Sequence, residues 1–409
     1  MIRQVTKGFL AFLTMRGCQR AALALCLLMV APSASAIPFT FDARSLGMGG
    51  VAVATADLST APWANPSMLS RQELGDKFSL LLGIGAFLRD DDDLIGDIDD
   101  FQDADDARKD ADTPAEEAEA ILEMRDIIRG LEDKVIAPEV SLLFSMGLAR
   151  DGVSVAFSIR GDVIAGGTVT DLSCSPNRRT ACDPSDIFDE NFNILSLEGV
   201  LAMEYGLSVA TDFDISGNRL SFGIKPKVVQ LRAVSYRESI LTIDSDELLD
   251  DLSDDDLGDF TTIDMGFAYD LTPNILLGLS VRNLLTDEFD VNGETLDFET
   301  EATVGVAYHG KKLTVGVDLD LNANEPALAD DRFDRLETQY LGIGMEYKPW
   351  NVIALRAGVA QNIASDVPSG AKDPRYTVGI GLHYWFNFDA SVVVSDHSVG
   401  AIIQAGFRF

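Results

Sequence analysis

The stretch YTVGIGLHYWF at residues 376–386 alternates apolar side chains with small or polar ones over almost its whole length. In an extended chain Tyr376, Val378 and Ile380 fall on one face, and the residues between them fall on the other. Alternation with a period of two residues predicts a β-strand.

The same pattern recurs from Phe78 to Phe409, in segments of about ten residues separated by turns. A single-chain barrel of a bacterial outer membrane has an even number of strands, and the segments number about 14. The predicted strands are 78–88, 136–149, 152–163, 195–210, 219–233, 261–271, 274–283, 301–309, 311–321, 337–348, 351–360, 375–386, 388–395 and 399–409.

The face opposite the apolar one is rich in Gly and Ser with occasional charges, as a crowded polar lumen requires. Aromatic residues gather at strand ends, at Tyr347 and Trp350 and from Tyr384 to Phe388, where bilayer interfaces would lie. Both features favour lipid, rather than the interior of a soluble sandwich, as the environment of the apolar face. An open sheet edge would leave unpaired backbone groups in hydrocarbon. We therefore predict an all-β fold, a transmembrane antiparallel β-barrel of about 14 strands over residues 78–409.

Connections of alternating length support this prediction. Tight turns follow Ala149, Leu271, His309 and Lys348, and long segments lie between them. In outer-membrane barrels short turns face the periplasm and long loops face outward. The longest segment, 89–135, is acidic and carries apolar residues at helical spacing, which predicts a helical first extracellular loop.

Residues 1–36 contain four basic residues, no acidic one, the apolar run AALALCLLMV and a small-residue site at Ala36, which is typical of a secretory signal peptide. We expect cleavage near Ala36 and export to the outer membrane of a Gram-negative cell. The remaining chain has 28 basic against 66 acidic residues, a net charge of −38, which argues against a nucleic-acid partner. Cys174 and Cys182 share one loop, and in an exported chain this favours a disulfide over two free thiols.

A barrel of this size encloses more space than its own side chains fill, so we expect a plug. Residues 37–77, just before the first strand, are small, Gly-rich and nearly uncharged. Gly47, Gly49 and Gly50 would let their backbone pass close to the lumen wall, and Asn65–Pro66 predicts a turn. The segment is therefore predicted to be an N-terminal hatch inside the barrel.

Two motifs of the predicted hatch, ARSLGMGG at 43–50 and WANPSML at 63–69, resemble the N-terminal signature of FadL-like and PorV-like outer-membrane barrels. LGLSVRNLLTDEF at 277–289 and LRAGVAQNIAS at 355–365, with the acidic insertion, resemble the conjugal transfer protein TraF family. The resemblance implies that Asn65, Pro66 and Ser67 form a hatch motif. It also implies passive transport of a small hydrophobic molecule or, alternatively, a non-enzymatic component associated with conjugal transfer or protein secretion.

Strand parity places several charged side chains in the predicted lumen. They either pair across the lumen and hold the hatch, or form a polar gate on a substrate path. The residues singled out are Arg160, Lys225, Arg282, Arg356, Asp318 and Glu346.

Little in the sequence supports catalysis. The three histidines, His309, His383 and His397, share no predicted site, and neither HExxH nor a Cys/His metal spacing is present. We therefore expect no enzyme activity, no cofactor and no metal site. The acidic runs at 89–100 and 244–260 are interpreted as solvated loops, with divalent bridges to lipopolysaccharide as the alternative. The C-terminal Phe409 is the expected recognition residue for the barrel-assembly machinery.

Overall fold

A computed structural model describes residues 34–35, 42–71, 77–90, 92–150, 152–174, 186–242, 253–285, 287–291, 294–298, 300–325, 337–365, 367 and 372–409. The predicted signal peptide lies outside the described residues except for Ala34 and Ser35, so its cleavage near Ala36 stays a prediction. Cys182 also lies outside the described residues, so its disulfide with Cys174 stays a prediction. Two short pairs of strands lie outside the barrel: β1 (Ala34–Ser35) with β13 (Asn324–Glu325), and β9 (Asp287–Val291) with β10 (Glu294–Phe298).

Fourteen strands form one closed antiparallel barrel, which confirms the predicted fold. Each strand pairs with its neighbours in chain order, and the last strand pairs with the first over the whole length of both. The barrel strands are β2 (Phe78–Arg89), β3 (Ala137–Leu148), β4 (Ser154–Thr170), β5 (Ile194–Ile215), β6 (Asn218–Ser239), β7 (Ser253–Thr272), β8 (Ile275–Arg282), β11 (Glu301–His309), β12 (Leu313–Asp320), β14 (Tyr340–Trp350), β15 (Ile353–Asn362), β16 (Arg375–His383), β17 (Asn387–Val394) and β18 (Ser398–Arg408).

The two faces of the barrel wall differ in the direction that the sequence predicts. Outward residues are large, apolar and exposed: Leu82 is 57% exposed and Val378 is also 57% exposed. Inward residues such as Ser145, Ser208 and Thr377 are polar and buried. This is the reverse of a water-soluble barrel or sandwich, whose apolar faces point inward.

Strands β4, β6 and β7 are longer than predicted because they continue beyond the apolar belt at the end that carries the long connections, whereas β5 exceeds its predicted range mainly at its tight-turn end, where it reaches Ile215. At the end with the long connections the outward face of β5 is covered: Leu197 is 7% exposed, whereas Leu207 on the same face is 52% exposed. The cover comes from two helices of the first long loop, Leu94–Lys109 and Pro114–Gly130. Within the described ranges, no helix is long and apolar enough to cross a membrane.

The helical loop and the strand extension share a hydrophobic core of their own. Phe101, Met124 and Ile128 from the helices pack in one cluster with Leu195 and Tyr236 from the strands. Thr113 and Glu116 form a capping box that fixes the start of the second helix. The predicted helical first loop is thus confirmed. It is a folded element that packs against the ends of β4 to β6 that carry the long connections.

Candidate functional site: the hatch and the charged lumen

Residues 42–71 form the hatch, and almost every one of them is buried. The segment folds as three short helical turns, Ala43–Leu46, Ala61–Ala64 and Pro66–Ser70. The first turn begins at Asp42, whose side chain accepts hydrogen bonds from the backbone N–H groups of Arg44 and Ser45. Short turns of small residues let the chain fill a narrow space that a long helix would not fit.

The predicted motif Asn65–Pro66–Ser67 organises the third turn. Asn65 Oδ1 accepts from the backbone N of Ser67 at 3.1 Å and from its hydroxyl at 2.7 Å. The Asn65 amide nitrogen donates to the carbonyl oxygen of Val53, 2.9 Å away, and to that of Phe267 on β7, 3.1 Å away. Asn65 therefore connects its own turn, the hatch segment around Val53 and the barrel wall.

Glycines of the barrel wall allow the hatch backbone to lie directly against the strands. A Cβ at Gly344 or Gly358 would overlap the backbone of Met48 and Gly49, and one at Gly223 would overlap the backbone of Pro66. Gly49 also has a positive φ of 68°, a conformation that favours glycine. The predicted Gly47 and Gly50 lie beside it: a Cβ at Gly47 would stand 3.1 Å from the Cα of Gly379, and Gly50 has a φ of 81°.

Hydrogen bonds from hatch amides to wall side chains fix the hatch in place. Asp318 Oδ2 on β12 accepts from the backbone N–H groups of Ala52 and Val53, at 2.7 and 2.8 Å. Thr377 on β16 accepts from the backbone N–H of Gly49 at 2.9 Å. Because these amides are buried, loss of the acceptor would leave them unpaired, which is costly.

Ion pairs connect the hatch to the β14–β18 wall. Glu346 accepts from the guanidinium groups of Arg44, a hatch residue, at 3.0 Å and of Arg356 at 2.8 Å. Arg356 also contacts Asp389 at 2.6 Å. All four side chains are largely buried, so each charge depends on its partners.

A second ion pair joins hatch residue Asp57 to Arg408 at 2.6 Å. Burial acts to raise the pKa of the Asp57 carboxyl, but the charges of Arg408 and Arg44 outweigh that effect and hold the pKa well below its ordinary value. Asp57 is therefore an anion over the physiological pH range.

On the opposite wall, a separate network of charges faces the lumen. Lys227 Nζ lies 2.7 Å from Glu204 Oε2 and 2.9 Å from Asp264 Oδ1. Lys225 also contacts Glu204, and Arg282 contacts Glu301. Arg160 Nε lies 2.5 Å from Asp162 Oδ2. These groups and the hatch residue Trp63 line a cavity of about 30 Å³, room for one or two water molecules.

Above this network the lumen face of β5–β7 is apolar. Val200, Ala202, Val229, Leu231 and Phe260 form one buried cluster, which we call the lumen strip. Three of its members also line the charged cavity. This side of the lumen thus has a charged region and an apolar region, and the two meet at the cavity.

The predicted lumen residues lie in two groups on opposite sides of the hatch. Arg356 and Glu346 meet Arg44 at the β14–β18 wall, and Arg160, Lys225 and Arg282 line the cavity at the other wall. Asp318 stands apart from both, bonded to hatch amides. These charged side chains are paired, as expected if they hold the hatch in place. Their roles stay a prediction.

Sequence reasoning missed several members of the site. Arg44, Asp57 and Trp63 belong to a segment interpreted as uncharged filling, and Lys227 and Asp389 were not singled out. Parity would have placed Lys227 beside Lys225, since both are odd-numbered residues of one strand. No local signal shows that Arg44 meets a residue 302 positions away. Among the described residues, no group of three or more His, Cys, Asp or Glu is placed to hold a metal ion.

Comparison with solved structures gives the class of the fold. The chain resembles a deltaS2S3 mutant of the TodX monoaromatic hydrocarbon channel, at 14% identity and a TM-score of 0.52, covering 90% of this chain and 99% of that one. It also resembles a Pseudomonas aeruginosa FadL homologue, at 12% identity and a TM-score of 0.51, covering 92% and 99%. The chain therefore has the same class of barrel fold as these two proteins, a closed barrel that in this chain has fourteen strands and encloses residues 42–71.

Within that class the chain has a definite family. A model described as the F plasmid transfer operon protein TraF matches residues 62–320, more than half of the sequence. The chain therefore belongs to the TraF family, as the motifs predicted. A comparison with curated proteins finds no match.

Proposed function

We propose that the protein is a hatch-gated channel of the outer membrane that carries small hydrophobic molecules passively. The observation that carries this proposal is the lumen strip, because apolar side chains on the inner face of a barrel are unfavourable beside water and suit apolar cargo. Structurally similar proteins are described as a monoaromatic hydrocarbon channel and, in P. putida, as a toluene transporter. Cargo of that kind fits the strip.

Passage requires the hatch to move, since it contacts both sides of the barrel. A second cavity of about 30 Å³ lies at the seam of β18 and β2. Its lining includes Leu46 of the hatch together with Ala86 and Ala401, which lie on the outward face of the wall. Movement of Leu46 would open this cavity towards the lumen, and lateral exit of apolar cargo at this seam would also require the hydrogen bonds between β18 and β2 to part.

Locking the hatch tests the proposal. A Cβ on the hatch residue Gly47 would lie 2.6 Å from Ser391 Oγ on β17, so Gly47→Cys and Ser391→Cys would place two thiols close together. Uptake of radiolabelled toluene by intact cells should fall to that of cells lacking the protein when the pair is oxidised, and recover on reduction. Each single cysteine variant is the control. Equal uptake in the oxidised and reduced double variant would contradict the proposal.

The family match favours a second candidate, a component of a transfer or secretion apparatus. The tip of the helical loop would then be the contact, since residues 112–119 are all exposed and half of them are acidic. Replacing Asp112, Glu117 and Glu119 with Ser, which keeps the Thr113–Glu116 capping box, should lower conjugation frequency but leave toluene uptake unchanged. A change in uptake alone would exclude this second role.

A further inference from the structure

The cavity beside the lumen strip contains buried hydrogen-bond donors that have no hydrogen-bond acceptor among the described residues: Nε1 of Trp63, and Nε and Nη2 of Arg160. Trp63 is 8% exposed, and its indole Nε1–H is buried without an acceptor among the described residues. A buried donor of this kind is destabilising unless something accepts from it. Trp63 lines the cavity, so a molecule that enters there could supply the missing acceptor.

The charges around the cavity are balanced, which restricts the molecule. The lining includes four cations, and each is paired with a carboxylate: Arg160 with Asp162, Lys225 and Lys227 with Glu204 and Asp264, and Arg282 with Glu301. The four cations and four carboxylates of the lining cancel, so an added anion would leave a net buried charge, which is strongly unfavourable. The unpaired N–H groups of Arg160 can still donate to a neutral oxygen. The cavity therefore favours a neutral group.

A hydroxyl group matches both kinds of neighbour. Its oxygen can accept from the Trp63 N–H, and its proton can be donated to a carboxylate such as Glu204. A plain hydrocarbon would leave the indole N–H unpaired. The cavity of about 30 Å³ has room for a hydroxyl but not for a ring. Because Ala202, Val229 and Phe260 are buried beside it, binding of the apolar body along them requires the hatch residue Trp63 to move and make space.

We propose that this cavity is a headgroup subsite for neutral, hydroxyl-bearing hydrophobic molecules, such as small aromatic alcohols, with Trp63 as the donor that selects them. The inference rests on the proposed function, because it names the substrate class that the lumen strip would carry. A molecule bound there would contact both the hatch, through Trp63, and the barrel wall, through the lumen strip. Its binding is therefore coupled to the position of the hatch.

Three probes that differ at one position test the subsite: toluene, benzyl alcohol and benzoate. The chain has three tryptophans, and Trp350 and Trp385 are exposed at 65% and 68%, so Trp350→Phe with Trp385→Phe leaves Trp63 as the sole reporter. In detergent, benzyl alcohol should shift Trp63 emission with a half-saturation concentration about tenfold below those of toluene and benzoate, the effect of one hydrogen bond.

Substitution of the donor supplies the second measurement. Trp63→Phe keeps an aromatic ring and removes the N–H, so radiolabelled benzyl alcohol should bind about tenfold more weakly, while toluene binds as before. Trp350→Phe is the matched control and should change neither affinity. Equal affinities of the three probes for the parent protein, or an equal loss for both probes in Trp63→Phe, would overturn the subsite.

Uptake separates this inference from the proposed function. If toluene enters cells through the protein but Trp63 does not distinguish the probes, the subsite is wrong and the channel stands. If neither toluene nor benzyl alcohol enters faster than in cells lacking the protein, the channel itself is wrong.

Discussion

Replacing Asp318 with Ala should release the middle of the hatch from the barrel wall. The Asp318 carboxylate accepts from two buried backbone N–H groups, those of Ala52 and Val53. Alanine offers no acceptor, so both buried amides would be left unpaired. An unpaired buried donor costs about 1–3 kcal/mol, and we take about 1.5 kcal/mol for each because water can reach a loosened hatch.

The two unpaired amides together then cost about 3 kcal/mol, which corresponds to a rise of about a hundredfold in the population of the undocked hatch. Hydrogen exchange of peptides covering residues 48–58, followed by mass spectrometry in detergent, measures this population. Exchange in these peptides should accelerate by about that factor, while peptides from β14 to β18 keep their protection.

Asp320→Ala is the matched control. Asp320 lies two residues further along the same strand and bonds only to the wall in the described structure, to the backbone N of Tyr340 and the hydroxyl of Thr303. It should leave the exchange of residues 48–58 unchanged. The reasoning would be refuted if Asp318→Ala and Asp320→Ala gave the same exchange in these peptides.

Three further predictions concern the wall glycines, the helical loop and the cysteines. Gly344→Leu would push a side chain into the Met48 backbone, so the hatch should become sensitive to protease in the folded barrel; Gly130→Ala, where a Cβ meets nothing within 4 Å, should behave as wild type. Phe101→Ala removes a fully buried ring from the loop core and should cost that element about 3–5 kcal/mol, seen as faster proteolysis of residues 94–130 while the heat-modifiable migration of the barrel on gels stays the same. Thiol alkylation of the exported protein should add no mass before reduction and two adducts after it, and adducts without reduction would exclude the predicted disulfide between Cys174 and Cys182.

The strands could be predicted because lipid and lumen impose opposite chemistry on alternate residues. In β16 each outward position is large and apolar while each inward one is Arg, Thr, Gly or His, so one segment shows both environments. The alternation fails at the upper end of β4, where residues 164–169 are buried on both faces because the helical loop covers the outside. The predicted strand therefore ended at 163, seven residues before the observed end at Thr170.

The hatch contacts could be predicted only in part. Gly49 predicts a close approach of the backbone and Asn65 predicts a turn, because both predictions depend only on the residue type at that position. The partners of Arg44 and Asp57 depend on how the hatch is oriented within the closed barrel, which follows from register and closure over the whole chain. The same holds for Trp63. The sequence shows that the residue is a tryptophan, but whether its indole N–H finds an acceptor depends on which residues of the barrel wall surround it.

The central claim is that lipid surrounds the apolar face while the hatch and the lumen residues occupy the other. Spin labels placed singly from Arg375 to His383 in the reconstituted protein test this most directly, through their collision rates with oxygen dissolved in the bilayer. The account predicts high rates at Tyr376, Val378, Ile380 and Leu382 and low rates at the residues between them. Uniform rates, or high rates at Thr377, Gly379 and Gly381 instead, would contradict it.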